Sequence, residues 1–345
     1  MIQAIHLLDD FAFGGVTRAI TVFGHDSLTK FGRSKVEVVG DEMLAKRYDA
    51  HLIVTHFPPS WSRLPFLASL RARNPKARIV HVEHTYTKGF MQERVGSPRR
   101  FQMLLRLAYA LYDEVICVSR AQRTWLADTM GIPGTKLRVI HPWCGRETLS
   151  LIPDLAPLHN RPLRLLAYGR FAEEKGFVPL IEAVSYFNAD EVELQLVGSG
   201  PALDEMRKAA EGHANIHFRG RIDDPAAFLG DCDAVIVPSR YEAFGLVATE
   251  ARMAGRPILV ADVDGLPEQV GAAGLARSMR TPLEIAGAID ALIESSLCEM
   301  GQAGRREVAG LKNQILGSWQ SLYSRAKSHR RDANTRFDVR ELPNR

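Results

Sequence analysis

Short apolar runs alternate with helical patterns along the whole chain. In the first half Ala4-Ile5-His6-Leu7-Leu8, Val36-Glu37-Val38-Val39, Leu52-Ile53-Val54, Ile79-Val80-His81-Val82 and Val115-Ile116-Cys117-Val118 read as strands. In the second, Leu163-Arg164-Leu165-Leu166-Ala167, Val192-Glu193-Leu194-Gln195-Leu196-Val197, Ile216-His217-Phe218, Ala234-Val235-Ile236-Val237 and Ile258-Leu259-Val260 do the same. Brief, nearly continuous apolar runs separated by helical stretches are the signature of parallel α/β layers. The expected architecture is therefore two Rossmann-like α/β domains, over residues 1–150 and 151–310. Their join falls where Pro142, Pro153, Pro157 and Pro162 punctuate a stretch without clear periodicity. Ile315, Trp319, Leu322 and Tyr323, near i/i+4/i+7 spacing, predict a last helix over 311–326, and the tail 327–345 is polar, basic and loosely held.

Composition narrows the class without deciding the function. A chain of 345 residues suits two domains of ordinary size, and its charged and apolar fractions are those of a soluble globular protein. The start lacks the basic, apolar and small-residue succession of a secretory peptide, and the most apolar stretch, Met103 to Val118, is short and interrupted by Arg106, Asp113 and Glu114. A cytoplasmic protein is expected. Cys117, Cys144, Cys232 and Cys298 are scattered with no C-x-x-C pair, which suits reduced thiols and argues against a structural zinc.

Charge is uneven along the chain. The first 145 residues carry 20 Lys and Arg against 12 Asp and Glu, net +8, and the remainder carries 24 against 28, net −4. A basic first domain favours an acidic partner. Its cations are dispersed and no nucleic-acid motif accompanies them, so nucleic acid is not expected. Lys88, Arg94, Arg99, Arg100 and Arg106, interleaved with Phe90, Met91, Phe101, Met103, Leu104 and Leu105, fit a basic, apolar segment lying on an anionic membrane surface. They fit equally a helix that packs an apolar stripe on the sheet with its cations in water.

The densest chemistry lies in Pro238-Ser239-Arg240-Tyr241-Glu242-Ala243-Phe244-Gly245-Leu246-Val247-Ala248-Thr249-Glu250-Ala251. It follows an apolar strand and leads into a stretch without Gly or Pro, so it is a strand-to-helix corner. Backbone N–H groups of Phe244, Gly245 and Leu246 at the helix start would favour an anion such as a diphosphate. Glu250 lies about one turn inside that start, where its carboxylate could accept hydrogen bonds from a ribose diol, and Glu242 sits on the loop. Arg170 and Lys175 follow the strand ending near Tyr168. Gly14 and Gly15 follow the first strand, and Gly198 and Gly200 follow another, but neither pair completes a G-x-G-x-x-G fingerprint.

The flanks of that corner resemble a family. Glu242 to Glu250 matches the E-x7-E signature of retaining, nucleotide-sugar-dependent glycosyltransferases of the GT-B fold, specifically glycosyltransferase family 4. Ala254-Gly255-Arg256-Pro257-Ile258-Leu259-Val260, Asp264-Gly265-Leu266-Pro267-Glu268, Tyr168-Gly169-Arg170-Phe171-Ala172-Glu173-Glu174-Lys175-Gly176 and Leu196-Val197-Gly198-Ser199-Gly200-Pro201 are similar to its other landmarks. The resemblance covers the C-terminal half well and the N-terminal half at points. It implies two domains facing a central cleft, with the last helix crossing back to the first. It further implies that Arg170 and Lys175 hold the donor diphosphate while Glu173 and Glu174 face water, and that Glu242 orients the sugar. Glu250 takes the ribose, and Gly14, Gly15, Gly198 and Gly200 lie beside the nucleotide. Gly220 and Ile222 resemble the loop whose backbone reads the base. His84 occupies the place of a histidine touching the donor sugar; taken alone it is equally a polar core or loop histidine. Pro142-Trp143-Cys144-Gly145 departs from the Asn-Gly-Val-Asp run of many relatives.

The implied reaction moves a sugar from a nucleotide-diphosphate donor, UDP-sugar favoured over GDP-mannose, to a glycan or lipid-linked hydroxyl, with retention at the anomeric carbon. The expected setting is cell-surface polysaccharide synthesis, with peripheral contact on the inner membrane face. Family chemistry is a front-face, oxocarbenium-like exchange rather than the double displacement of retaining hydrolases. Neither metal nor cofactor is implied, since two cations and a helix start supply the neutralising charge. Alternatives are a GT-B sugar-nucleotide epimerase or phosphorylase, and a catalytically silent interaction subunit.

Overall fold

The computed structural model describes residues 1–9, 15–157, 160–221 and 224–336. The chain divides into two compact units, one made of Met1–Tyr86, Met91–Trp143 and the segment from Asn313 on, the other of Thr87–Phe90 and Cys144–Lys312.

The first unit is built on six parallel strands, β1 (Ile2–Leu8), β2 (Gly32–Val38), β3 (Leu52–Thr55), β4 (Arg78–Glu83), β5 (Glu114–Cys117) and β6 (Leu137–Val139), in the order β2-β1-β3-β4-β5-β6. β3 and β5 are buried at every residue, as a parallel sheet covered on both faces requires. Edge strand β2 is largely polar and runs through Gly32-Arg33-Ser34-Lys35, four residues before the apolar run that marks it in the sequence. Helix Pro98–Ala110 packs Phe101, Leu104, Leu105, Ala108 and Tyr109 into the core. Its last turn is closed by Lys136, whose Nζ donates to the carbonyls of Tyr109, Ala110 and Tyr112. The last helix, Leu311–Arg336, runs ten residues past its expected end at 326. It belongs to this unit from Asn313 on. Trp319 packs edge-on against Phe23, Tyr323 is hydrogen-bonded to Ser34, and Arg325 reaches the buried carboxylate of Glu114.

The second unit holds β7 (Leu163–Arg170), β8 (Val192–Ser199), β9 (Ile216–Phe218), β10 (Ala234–Val237), β11 (Ile258–Ala261) and β12 (Gly274–Arg277), all parallel in the order β12-β11-β10-β7-β8-β9. Its base is knotted by Arg256, buried, which donates to the carbonyls of Leu229, Gly230, Pro153 and Ala254. β6 and β12, short and interrupted by Arg or Gly, carry no apolar run for the sequence to display.

Each sheet reverses its direction of growth once. In the first, β2 and β3 flank β1, so the reversal lies between β1 and β3; in the second, β8 and β10 flank β7, so it lies between β7 and β10. The loops leaving the carboxyl ends of such neighbours diverge and open a crevice, which is where open α/β sheets bind ligands. No described helix is long and apolar enough to cross a membrane.

Candidate functional site

In the second unit the segments that follow β7 and β10 carry Arg170, Lys175, Glu242, Phe244, Gly245, Leu246 and Glu250, all singled out in the sequence. Arg170 ends β7, and the chain then turns through Glu173–Lys175 into helix Phe177–Val184. β10 leads through Pro238–Gly245 into helix Leu246–Met253. Gly245 sits at the head of that helix with φ 84°, a left-handed conformation that disfavours any side chain. A Cβ there would also meet Leu266, 2.5 Å away. Gln269 ties the turn from below, its amide nitrogen donating to the carbonyls of Phe244 and Gly245 at 2.6 and 2.9 Å.

The charged groups are paired. Lys175 Nζ lies 2.5 Å from Glu242 Oε2, with both side chains partly exposed. Arg170, 69% exposed, bonds Glu174, whose side chain is 14% exposed. Glu174 therefore does not face water as the sequence suggests; Arg170 covers its carboxylate, and its carbonyl accepts from the Arg240 N–H. Glu173 is the exposed one and pairs with Arg240.

Glu250 is fully buried one turn inside the helix. The Tyr168 hydroxyl donates to its Oε2 at 2.7 Å, and Arg146 Nε lies 3.4 Å from its Oε1. Both carboxylate oxygens are thus contacted. These contacts make Glu250 a tie between β7 and the helix, a role that its spacing in the sequence does not reveal.

Asp264 is the residue that sequence reasoning passed over within a quoted motif. Its φ of 45° is one that non-glycine residues rarely adopt, a local strain of about 1–3 kcal/mol. Three donors hold it there: Thr87 hydroxyl at 2.7 Å, Gly89 N–H at 2.9 Å and Glu242 N–H at 3.1 Å. The next residue, Gly265, donates to the Glu242 carbonyl. Glu242 is thus fixed through both backbone groups by the Asp264–Gly265 turn. Burial, with the nearby Glu242 charge, pushes the Asp264 carboxyl above the usual carboxylate range despite those donors.

The glycines divide. Gly198 has φ 153°, and a Cβ there would strike the Gly169 carbonyl; one at Gly200 would strike Phe171 O. Both let β8 lie close to the end of β7, so protein backbone alone accounts for them. Gly220, exposed, accepts from Gly198 N–H at 2.8 Å. Gly15 opens helix Gly15–Ile20 and is exposed. Gly14 and Ile222 lie outside the described residues.

In the first unit, His84 directly follows β4. Its Nε2 lies 3.1 Å from His56 Nδ1, and His56 Nε2 lies 3.0 Å from His6 Nδ1. His6 lies inside β1, fully buried, and His56 directly follows β3. Neither is singled out by the sequence, although each of the three strands carries a histidine at or near its carboxyl end. On the other face of β4, Glu83 is fully buried and accepts from Tyr109 hydroxyl, His81 and the N–H groups of Thr85 and Tyr86. Burial raises the affinity of that carboxyl for a proton, but these donors outweigh it and the net shift is downward.

Two parallel six-stranded sheets with ligand-type crevices at both reversals define the GT-B class of α/β glycosyltransferase folds. HepE of Anabaena, solved in complex with UDP, superposes with a TM-score of 0.71 at 19% identity, covering 93% of this chain and 100% of that one. Residues 162–295 match the family described as "Glycosyl transferases group 1", and residues 14–144 match "Glycosyltransferase Family 4". The chain belongs to the group 1, family 4 glycosyltransferases. Among curated relatives it is 33% identical over 205 residues to glycogen synthase of Mycobacterium tuberculosis, covering 53% of this chain and 48% of that protein. It is 30% identical over 207 residues to phosphatidyl-myo-inositol mannosyltransferase of Mycobacterium leprae, covering 58% and 53%. The chain spans about half the length of the curated relatives it matches.

Proposed function

We propose that this protein is a retaining hexosyltransferase that moves a sugar from a nucleoside-diphosphate sugar to a hydroxyl of a glycan or lipid-linked acceptor in cell-surface polysaccharide synthesis. The observation that carries the reading is the Lys175–Glu242 pair, which joins the turn after β7, where Arg170 ends the strand, to the loop that leads into helix Leu246–Met253. Two cations and a helix start are what a leaving diphosphate needs as its charge grows, and positioning does the rest. In this scheme phosphate oxygens take over Lys175 and Arg170 from their carboxylate partners, which frees Glu242 to orient the sugar. Phe244, Gly245 and Leu246 offer backbone N–H groups, Glu250 takes the ribose, and the loops at Gly198, Gly200 and Gly220 border the nucleotide. A UDP-sugar is the favoured donor, in keeping with the UDP-bound HepE structure, and GDP-mannose is the second choice, in keeping with the mannosyltransferase relative.

The acceptor side draws on the basic first half of the chain. Helix Pro98–Ala110 buries one apolar stripe yet leaves Met103 and Leu107 about half exposed, beside exposed Arg99 and Arg100. Arg106 is less available, because its Nε donates to the Met130 carbonyl at 2.8 Å. Such a face suits peripheral contact with an anionic membrane of the cytoplasmic leaflet.

A thermal-shift panel of UDP-glucose, UDP-galactose, UDP-N-acetylglucosamine and GDP-mannose tests the donor. A bound ligand at a hundred times its dissociation constant adds about 2.7 kcal/mol to stability. The anomeric configuration of any product, read by NMR, tests retention. A panel in which no sugar nucleotide stabilises the protein contradicts the reading.

A further inference from the structure

The three histidines of the first unit form a line with a blind inner end. β1, β3 and β4 are neighbours, and the registers pair His6 with Val54 and Val54 with Val80. His56 stands two residues beyond the first of these rows, and His84 two residues beyond the row of His56. Steps of two keep all three side chains on one face of the sheet and carry the line from the core to the carboxyl edge. His6 is fully buried, its ring 4.0 Å from that of Phe23, and its Nε2 has no hydrogen-bond partner among the described residues. His84, half-buried, ends the line at the edge, and the ring centroids of His56 and His84 stack at 5.4 Å.

A neutral imidazole has one donor nitrogen and one acceptor nitrogen, so a line of three admits two directions. With the protons pointing inward, His6 would bury an N–H with nothing to receive it. With the protons pointing outward, His6 leaves only a lone pair unused, and His84 carries its proton on Nδ1. Orphaned buried N–H groups are the rarer defect in folded proteins, so the outward direction prevails. Protonating His84 as well would force both of its nitrogens to donate, turn the line inward and recreate the orphan N–H on His6.

We propose that His6 and His56 are positioning residues that fix His84 as a neutral imidazole with its proton on Nδ1, a hydrogen-bond donor for an uncharged sugar oxygen. The sugar part rests on the glycosyl-transfer reading; the tautomer part does not. The blind end also rules the line out as a proton conduit to solvent. Burial holds His6 down to about 3 and His84 to about 4, and holds His56 well below its ordinary value, with the charges of His6, His84 and His81 adding to the effect. Among the described residues, few charged or titratable groups act on the line. Glu83 and His81 reach His84 through the sheet with opposite sign, and Tyr109, from helix Pro98–Ala110, is bonded to Glu83. Phe23 and Trp319 bring no charge to the His6 end.

The full chain, labelled with ¹⁵N-histidine, allows the tautomer to be read directly from two-bond imidazole ¹⁵N–¹H correlations between pH 8 and pH 5, with His84→Gln used to assign the resonance. His84 should show a protonated Nδ1 and a bare Nε2, with no imidazolium at pH 5.5. A protonated Nε2, or titration near the ordinary value of about 6.5, overturns the proposal. Cutting the line with His56→Leu should raise the His84 midpoint by at least about one pH unit. An unmoved midpoint in a folded variant counts against the line, and if that variant does not fold the wild-type spectrum still decides. Addition of UDP-glucose, but not of UDP, should then shift the His84 Nδ1 proton. Binding of both without that shift removes the sugar oxygen and leaves the tautomer standing, whereas binding of neither UDP-glucose nor GDP-mannose removes the glycosyl-transfer reading instead.

Discussion

The carboxyl edges of the two sheets share a topology and differ in chemistry. At the first, one buried carboxylate, Glu83, is held by its own donors on one face, and on the other His6, His56 and His84 satisfy one another without charge, linked in line with His6 packed on Phe23. At the second, each cation has a carboxylate partner, Arg170 with Glu174, Lys175 with Glu242 and Arg240 with Glu173. Depth explains much of the contrast. A buried, unpaired charge is costly, so the deep edge uses imidazoles that can stay neutral. Partly exposed ion pairs are worth only about 0–1 kcal/mol each, so an incoming phosphate can exchange with their carboxylates at small cost. Where a sheet reverses, topology provides a crevice. Burial then decides how many donors an ion there must have, as Glu83 and Glu250 show.

The sharpest way to break this contrast is to attack the buried carboxylate of Glu250 in the charged edge. Glu250→Ala would take away the carboxylate that the Tyr168 hydroxyl and Arg146 Nε share, while Arg146 keeps Asp224, and removing one partner of a buried pair costs at most about 3–5 kcal/mol. Urea unfolding should show that loss, while Glu250→Gln, of similar volume, should lose less and still bind UDP more weakly than wild type. Wild-type stability in Glu250→Ala would mean that the carboxylate is no tie. Next in size, Lys175→Ala should lower transfer about 10²–10³-fold at saturating donor with an unchanged circular dichroism spectrum. Arg170→Ala should lower it by about tenfold, because its guanidinium is more exposed and its anchoring Glu174 remains. Near-normal turnover in Lys175→Ala would move the diphosphate elsewhere.

Acid should separate the two edges. His6, His56 and His84 bind protons less readily folded than unfolded, so the unfolded chain holds more protons between about pH 6.5 and the lowered folded values near 4 and 3. Their contribution is intact above about pH 6.5 and is lost as the pH falls through that window, by about 1.4 kcal/mol per pH unit for each extra proton taken up on unfolding. Melting temperatures recorded from pH 7 to pH 4 should fall, and His56→Leu should flatten the slope. An equally steep slope in that variant would place the acid sensitivity outside the line. The smallest effect concerns the outer helix face. Arg99→Glu with Arg100→Glu should weaken co-sedimentation with anionic vesicles by about 1 kcal/mol per residue replaced, and salt should act in the same sense. If wild type ignores such vesicles at low salt, Met103 and Leu107 belong to an ordinary surface.

Much of the scaffold was legible because buried parallel strands are nearly continuous apolar runs. Ile216–Phe218 and Ala234–Val237 coincide with their patterns to the residue. What escaped lies where side chains meet solvent or end a sheet, as in the polar start of β2 and in β6 and β12. The charged corner was legible as a motif, since Glu242, Glu250 and the glycine turn are close in sequence. Its depth was not, because the burial of Glu250 depends on Tyr168 and Arg146, far away along the chain. The histidine line was the least legible of all. His6, His56 and His84 are brought together only by the registers of three strands, and register is a property of the folded sheet.

The return of the chain to the first unit at Asn313 bears on how the molecule is made. Residues 144–312 can be completed during synthesis while the first unit still lacks Trp319, Leu322 and Tyr323, which are buried in its core. Unit order in the folded protein therefore reverses order of emergence from the ribosome: the portion translated first is finished last. At about 5–20 residues per second, the nascent first unit waits on the order of ten seconds or more with the Phe23 side of its sheet uncovered. That interval is when a chaperone, or a neighbouring nascent chain, would find its apolar surface.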